Sequence, residues 1–171
     1  MTVRYLEKEE FGETFPLALA CFGDEEFLME YYAGPVYGNR VAVLEKKGRP
    51  VSMVQLRPFL AAYGEETCPV HYILFVCTLP EERHKGHMDR LMEFVLEDLK
   101  KAGEAFAFLV AVDKAIYRHL GFVYDWPFRD EEQDLLFADD GLTDCSAKLL
   151  CGNCFSAPDR LLPVTGGAAG L

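Results

Sequence analysis

The sequence predicts a single mixed α/β domain, and three observations support this prediction. The chain has 171 residues, which is close to the usual size of one domain. Its first third shows two short helical patterns followed by a hairpin of antiparallel strands. After the hairpin, apolar runs typical of buried strands alternate with helical patterns. The expected result is a sheet with both parallel and antiparallel pairs, flanked by helices.

The N-terminal elements follow from residue spacing. Large apolar residues recur at helical intervals from Glu9 to Cys21 and again from Asp24 to Ala33, so we predict a helix in each range. The Lys47-Gly48 turn then joins two β-rich runs into a hairpin, whose strands are predicted at residues 41–44 and 51–59.

The central elements are a buried strand and an amphipathic helix. The run 68-CPVHYILFVCTL-79 is apolar on both faces and rich in β-branched and aromatic residues, which predicts a central strand. One helical face is then formed by Met88, Leu91, Met92, Val95, Leu96 and Leu99, and Gly103 is the expected C-terminal cap. A further strand is predicted at residues 105–112, a short helix at 113–120 and a last strand at 122–128.

The composition changes after Arg129. The stretch 130-DEEQDLLFADDGLTD-144 is acidic, and the chain ends in 162-LPVTGGAAGL-171. We therefore divide the chain into a folded region, residues 1–128, and an acidic extension with a flexible tail, residues 129–171. We expect ordered packing up to about Phe137, so truncation from Leu161 should leave the stability nearly unchanged.

Charge and composition narrow the class of function. The formal net charge is −11, which disfavours binding to nucleic acid or anionic membrane surfaces and favours cationic small molecules. The chain opens with no signal-peptide pattern and contains no apolar run long enough to cross a bilayer, so we expect a cytoplasmic protein. In that compartment the six cysteines should stay reduced.

A basic turn in 79-LPEERHKGHMDRLMEF-94 stands where a helix is predicted to begin. Helix N-termini carry partial positive charge, so cations there are normally unfavourable. The free N–H groups, the missing side chain of Gly86 and the charges of Arg83 and Lys85 would together suit a bound anion. A set of merely solvated surface side chains is the alternative interpretation. Neither the Walker pattern nor the dinucleotide fingerprint is present.

The segment Arg83-His84-Lys85-Gly86-His87-Met88 resembles the acyl-CoA loop of the GNAT superfamily of N-acetyltransferases, whose pattern is Arg/Gln-x-x-Gly-x-Gly/Ala. The preceding 73-ILFVCTLPEER-83 looks like the family's fourth strand, and 117-YRHLGF-122 resembles its Tyr-x-x-x-Gly-Phe signature. The stretch 19-LACFGDEEFLMEYY-32 is similar to the N-terminal helices of the enhanced-intracellular-survival type. The resemblance covers roughly residues 1–128.

This resemblance implies a GNAT-like fold that binds acetyl-CoA and transfers its acetyl group to a primary amine. It implies cofactor contacts from Val76, Cys77, Thr78, Arg83, His84, Lys85, Gly86, His87 and Met88, the last standing where the family usually has a small residue. Tyr117 matches the residue that often serves as the general acid. The acceptor would be a small-molecule amine or a lysine side chain, and assembly as a homodimer is left open.

The general base and the rival functions stay open. The central strand has no carboxylate, so His71 is its candidate base, while the acidic cluster from Asp24 to Glu30 and water are alternatives. The 151-CGNC-154 motif with Cys145 offers too few ligands for a structural zinc site, so no metal is expected. The rivals are a non-catalytic acyl-CoA-binding or regulatory module and a protein-interaction domain.

Overall fold

The structure is a computed structural model that describes residues 1–139 and 141–164. Its strands are β1 (Thr2–Tyr5), β2 (Arg40–Lys46), β3 (Arg49–Tyr63), β4 (Glu66–Thr78), β5 (Phe106–Leu109), β6 (Tyr124–Pro127), β7 (Asp144–Leu149) and β8 (Arg160–Pro163). Its α helices are α1 (Phe15–Phe22), α2 (Glu25–Ala33), α3 (His87–Lys101) and α4 (Ala115–Arg118). Short 3-10 segments occur at Lys8–Thr14, Pro35–Gly38, Pro80–Glu82 and Asp130–Glu132.

The predicted mixed sheet is confirmed. Strand β4 pairs in parallel with β5, with His71 opposite Ala107 and Tyr72 opposite Phe108. Antiparallel pairs join β1 to β2, β2 to β3, β5 to β7, β6 to β7 and β3 to β8. With helices between and beside these strands, the fold class is α/β, as the order of sequence patterns predicted.

The chain forms two compact units. The first contains Met1–Arg57 and Leu74–Val95, and the second contains Pro58–Ile73 and the chain from Leu96 onward. Strands β3 and β4 and helix α3 therefore each contribute one segment to each unit. The predicted boundary at residue 128 falls between β6 and β7, which pair with each other inside the second unit.

The first unit is built around an apolar cluster from the predicted helices and hairpin. Its buried members include Leu17 of α1, Leu28 of α2, Val41 of β2 and Met53 of β3. Helix α1 ends where Gly23 adopts a left-handed conformation, and Asp24 caps α2 by accepting a hydrogen bond from the Phe27 N–H at 3.0 Å. These sequence signals were sufficient to predict both helices, although a 3-10 segment forms much of the first predicted range.

The first unit also contains a strand that the sequence analysis did not predict. Strand β1 pairs with β2 along its whole length, from Thr2 to Tyr5. Its Arg4 binds the carboxylates of Glu10 and Glu45, each at 2.9 Å. Four residues that include an arginine show too little apolar alternation to predict a strand from the sequence. The strand that pairs with β1, β2, also lies far from it in the chain.

The core of the second unit is aromatic. The rings of Tyr72 and Phe108 stack with centroids 5.2 Å apart, and Phe59 contacts both rings edge to face. Trp126 of β6 packs against Phe108 at 5.9 Å. Aromatic pairs of this kind stabilise a core beyond the effect of buried area alone.

The C-terminal extension adds β7 and β8 to the second unit. The expectation that ordered packing ends near Phe137 is wrong, because β7 lies between β5 and β6 and β8 pairs with β3. Leu161 is buried, and its N–H donates to the carboxylate of Glu132 at 2.8 Å. The expectation that deletion from Leu161 onward leaves the stability nearly unchanged has therefore lost its basis. Residues 165–171, for which we expect flexibility, lie outside the described residues.

Helix α3 agrees with its predicted apolar face. Leu91, Met92, Val95, Leu96 and Leu99 are all buried. Past the end of the helix, Gly103 takes a positive φ of 81° and donates its N–H to the Lys100 carbonyl at 3.0 Å, as expected for a C-terminal cap. The helix begins at His87, directly after the basic turn.

Candidate active site

The C-terminal part of β4 departs from regular strand geometry at Phe75. This residue has a φ of +50°, which is an outlier for a bulky side chain. Its ring is held by the first unit's aromatic side chains: it stacks on Tyr31 at 4.5 Å and meets Phe22 edge to face at 5.2 Å. Such strain persists only where surrounding packing enforces it, and it is common at functional sites. The irregularity lies directly before Val76.

The residues after Phe75 are fixed by hydrogen bonds within the first unit. The Ser52 hydroxyl donates to the Cys77 carbonyl at 3.0 Å and lies 2.8 Å from the Thr78 hydroxyl. The Arg83 Nε donates to the Thr78 carbonyl at 3.1 Å. Val76 and Thr78 are half-buried and Cys77 is buried. The end of the strand and the basic turn are therefore joined directly.

The basic turn itself has an unusual backbone. His84 and Gly86 both lie in the left-handed region, with φ values of 61° and 73°. Left-handed residues in a turn direct successive N–H groups towards one concave surface, which suits an anion. The hydrogen bonds of α3 begin with the Arg90 N–H to the Gly86 carbonyl at 3.1 Å. The N–H groups of His87 and Met88 therefore precede the first of these bonds, as at any helix N-terminus.

Glu82 organises the cations of the turn, and the sequence analysis did not single it out. Its carboxylate accepts from Lys46 Nζ at 2.6 Å and from Lys85 Nζ at 3.0 Å, and it lies 3.2 Å from His87 Nε2. These hydrogen bonds, that of Lys46 foremost, lower the pKa of Glu82 to about 2. The only sequence signal was its position beside the cations.

The cationic side chains of the basic turn form hydrogen bonds within the turn itself. Lys85 bonds Glu82 and the Glu81 carbonyl, at 3.0 and 2.7 Å, and Arg83 bonds the Thr78 carbonyl. Arg83, His84, Lys85 and Gly86 are exposed, His87 is buried and Met88 is half-buried. The Lys85 and Arg83 side chains therefore support the conformation of the turn itself.

Tyr117 lies on α4 in the second unit. Its side chain is half-buried, and its ring meets Phe122 edge to face at 6.1 Å. The Tyr117 carbonyl accepts from the N–H groups of Leu120 and Phe122, at 3.1 and 3.3 Å. The Gly121 turn between them, with φ at +93°, thereby folds Phe122 back against the tyrosine.

His71, also in the second unit, forms a dyad with a residue that the sequence analysis missed. Its Nδ1 lies 2.6 Å from Oε1 of Glu104, whose side chain is only 6% exposed. The other carboxylate oxygen, Glu104 Oε2, is buried and has no hydrogen-bond partner among residues 1–139 and 141–164. Glu104 stands alone between Gly103 and an apolar strand, and an acid in that setting is the one signal that could have indicated it.

The other sequence candidates take peripheral roles. Asp24, Glu25, Glu26 and Glu30 are exposed on and beside α2, where Asp24 serves as the helix cap. Cys154 is exposed, and the Cys151 thiol lies 3.9 Å from the Lys100 carbonyl. Within residues 1–139 and 141–164, no group of three or more His, Cys, Asp or Glu side chains is placed to hold a metal ion. No helix in this described part is long and apolar enough to cross a membrane.

A strand that ends in a glycine-containing turn at a helix N-terminus is an arrangement typical of α/β proteins that hold a phosphate-bearing cofactor. The profile of the acetyltransferase (GNAT) domain matches residues 2–124. The chain therefore belongs to the GNAT acetyltransferase family. A comparison with curated proteins finds no match.

Solved structures show the same fold in other organisms. A GNAT acetyltransferase from Brucella melitensis in complex with acetyl-CoA is similar with a TM-score of 0.67 and 17% identity, over 94% of each chain. A probable N-acyltransferase from Enterococcus faecalis V583 has a TM-score of 0.65 and 24% identity, over 72% of this chain and 33% of its own. Eis1 from Mycobacterium abscessus has a TM-score of 0.60 and 19% identity, over 74% and 33%. This chain thus spans about a third of the length of the last two proteins.

Proposed function

We propose that the protein transfers an acetyl group from acetyl-CoA to a primary amine. The observation that carries this proposal is the turn from Arg83 to Met88, whose left-handed residues precede α3 and follow the irregular end of β4. In the described part of the chain, a Cβ built on Gly86 would meet no atom within 4 Å beyond its chain neighbours, so the backbone there faces open space that a pyrophosphate could enter. The cofactor in the Brucella relative's crystal structure supports the same choice.

The residues present suit the parts of this cofactor. The N–H groups of residues 84–88 would hold the pyrophosphate, with the charges of Arg83 and Lys85 nearby. The backbone of Val76, Cys77 and Thr78 would bind the pantetheine arm, because the irregularity at Phe75 interrupts the regular strand just before them. Acetyl-CoA, when bound, supplies a thioester whose carbonyl carbon accepts the amine. The Val76 N–H is the candidate donor to its carbonyl oxygen.

Tyr117 is the proposed general acid. A phenol stays protonated at neutral pH, yet it can protonate a departing thiolate. In this role the Tyr117 hydroxyl gives its proton to the sulfur of the leaving group. Its packing against Phe122 would restrict the ring to a defined orientation.

His71 is the proposed general base. The contact of its Nδ1 with Glu104 supports this role, since a carboxylate that binds one ring nitrogen orients the imidazole and selects its tautomer. Nε2 would then be the nitrogen that accepts a proton. If His71 and Glu104 instead only stabilise the unit, a water molecule or an exposed carboxylate of α2 would take the proton.

A cationic acceptor fits the charge of the protein. A net charge of −11 raises the encounter rate with polyamines, aminoglycosides or exposed lysine side chains. We include in the same proposal that residues 19–32 resemble the N-terminal helices of the enhanced-intracellular-survival type. Encounter by charge does not select among these amines, so the acceptor must be found by screening.

The test is a thiol-release assay with acetyl-CoA against a panel of such amines, run beside a thermal-shift titration with coenzyme A. We expect amine-dependent thiol release, and a melting temperature that rises with cofactor concentration because ligand stabilises the native state by mass action. A shift without release for any amine of the panel would favour the alternative, a non-catalytic acyl-CoA-binding module. No shift at millimolar coenzyme A would refute the cofactor assignment.

A further inference from the structure

Helix α4, which carries Tyr117, is only four residues long, Ala115–Arg118. An isolated helix of this length is not stable in water, because its few hydrogen bonds do not offset the entropy of ordering the backbone. Contacts with other parts of the second unit must therefore hold α4 in place. Two cationic residues flank Tyr117 in the sequence: Lys114, directly before the helix, and Arg118, its last residue.

The carboxylate of Asp125, on β6, contacts both of these cations. Its Oδ2 accepts a hydrogen bond from Arg118 Nη2 at 2.5 Å and lies 3.6 Å from Lys114 Nζ. Arg118 Nη1 also donates to the Phe122 carbonyl at 2.9 Å. Because a single carboxylate contacts the residues on both sides of Tyr117, it fixes both ends of the short helix.

Asp125 is itself held by the neighbouring strand β7. Ser146 stands opposite Asp125 in the register of β6 and β7, and its hydroxyl donates to Asp125 Oδ1. Burial disfavours the charged form of Asp125, yet the hydrogen bonds from Ser146 and Arg118 hold its pKa below the usual range. Asp125 is therefore a carboxylate at neutral pH, and each of its two oxygens accepts a hydrogen bond.

Two further side chains on the same face of β7 hold the segment around α4. Successive residues of a strand point to opposite faces, so Asp144, Ser146 and Lys148 share one face, and we call these three residues the β7 row. Asp144 Oδ2 accepts from Lys114 Nζ at 3.0 Å, and Lys148 Nζ donates to the Leu120 carbonyl at 2.7 Å. The β7 row therefore contacts the start of the helix, the turn after the helix and the carboxylate on β6.

This network differs from an isolated surface ion pair. The side chains of Lys114, Arg118 and Asp125 are 30%, 38% and 32% exposed, and Ser146 is buried. An isolated, exposed ion pair contributes little to stability, whereas removal of a partly buried carboxylate that several groups share breaks all of its bonds at once. The network should therefore hold α4 more firmly than any one of its bonds could.

We propose that Asp125, held by the β7 row, is a positioning residue for the general acid Tyr117. This proposal rests on the proposed function, in which the Tyr117 hydroxyl protonates the leaving sulfur. Asp125 transfers no proton itself and acts through the position of α4. A proton donor must lie within hydrogen-bond reach of its acceptor, and a displacement of about 1 Å can lower a rate by about 10²-fold. The C-terminal extension, which supplies β7, would thereby contribute to the transfer reaction.

The first measurement follows α4 without any reaction. Amide hydrogen exchange of the full chain is read by mass spectrometry on peptides that cover residues 114–122. Exchange there should be roughly 10-fold faster in Asp125→Asn than in the wild type, and less strongly accelerated in Ser146→Ala, because loss of the shared charge breaks more bonds. The matched control Glu97→Gln, which breaks the exposed 3.0 Å ion pair with Lys101 on α3, should leave this exchange unchanged.

Steady-state thiol release is the second measurement. Asp125→Asn should lower kcat about 10- to 100-fold, while the KM for acetyl-CoA and the thermal shift with coenzyme A stay unchanged. In a Tyr117→Phe background the same substitution should have little further effect on kcat, because the hydroxyl that it would misplace is already missing. A merely structural role would instead lower kcat by the same factor in both backgrounds. Glu97→Gln should retain the wild-type kcat.

Circular dichroism spectra check that each variant is folded, and Ser146→Ala, which removes one hydroxyl, replaces Asp125→Asn in both measurements if the latter is not. The proposal is overturned if residues 114–122 exchange as in the wild type, or if kcat falls equally in the two backgrounds. If the wild type releases no thiol with any amine, the proposed function fails and the catalytic part of this proposal fails with it. The exchange rates still decide in that case whether the network holds α4, so the outcomes are distinguishable.

Discussion

Replacing Gly86 by alanine separates the folding role of this residue from its proposed role in cofactor binding. Gly86 has a φ of +73°, and an added Cβ would meet no atom of the described residues within 4 Å. The only cost to the protein alone is therefore the left-handed backbone, about 1–2 kcal/mol for a residue with a Cβ. For a chain of this length that cost corresponds to a fall in melting temperature of about 2–8 °C.

Gly48 provides a matched control. It also has a φ of +73°, and no atom that the structure describes lies within 4 Å of an added Cβ, but it stands in the hairpin turn between β2 and β3. Gly48→Ala should lower the melting temperature by a similar amount. The two variants then differ only in whether the new methyl group stands where the pyrophosphate is proposed to bind.

The affinity for coenzyme A should separate the two variants. A methyl group on residue 86 keeps the phosphate away from the backbone and removes at least one hydrogen bond to a charged group, a loss of about 1.5–3 kcal/mol. Isothermal titration calorimetry should therefore show a Kd about 10- to 150-fold weaker for Gly86→Ala and unchanged for Gly48→Ala. Equal Kd values in the two variants, with both folded, would refute the proposed approach of the phosphate to this turn.

Three further changes test other parts of the structure. Tyr117→Phe should lower turnover by roughly 10²- to 10⁴-fold with little change in coenzyme A affinity, and unchanged thiol release would mean that the tyrosine only packs. Because the pKa of Glu82 is lowered from 4.5 to about 2, its charge stabilises the fold above pH 4.5 and that contribution is lost as the pH falls towards 2. Across that pH window, the melting temperature of Glu82→Gln should vary less than that of the wild type. Parallel curves of melting temperature against pH would contradict the stabilising role of the Glu82 charge. Leu161→Ala should destabilise the protein by about 2–5 kcal/mol in urea titrations, more than the half-buried Leu162→Ala, and equal effects would contradict the burial of β8.

Elements with strong local signals could be predicted from the sequence. The hairpin follows from Lys47-Gly48 between β-rich runs, and both turn residues have the positive φ that such a turn needs. Helix α3 follows from its apolar face. By contrast, β7 contains Ser146 and Lys148, which an isolated strand pattern disfavours. In the fold, the Ser146 hydroxyl bonds Asp125 and the Lys148 ammonium bonds the Leu120 carbonyl. These partners are distant in the sequence, so pattern alone could not reveal the strand.

The candidate site likewise combines local features that the sequence reveals with residues whose role depends on partners distant in the sequence. The glycine and the helix start of the basic turn are local features, and the sequence was sufficient to propose an anion site there. Glu82 and Glu104 were missed because their importance depends on partners brought by the fold: Lys46, 36 positions before Glu82, and His71, 33 positions before Glu104. Buried acids need compensating partners, and these become visible only once the chain is folded.

The division of β3, β4 and α3 between two units has a consequence for biosynthesis. The first unit needs residues 74–95 as well as 1–57, and Cys77 belongs to its apolar cluster together with Val41 and Met53. At about 5–20 residues per second, residue 95 is added roughly 2–8 s after residue 57. During that interval the nascent N-terminal segment lacks part of its own core. The first unit therefore cannot be completed until residues 58–73 of the second unit have also been synthesised, and chaperones that shield apolar surface would meet the chain at this stage.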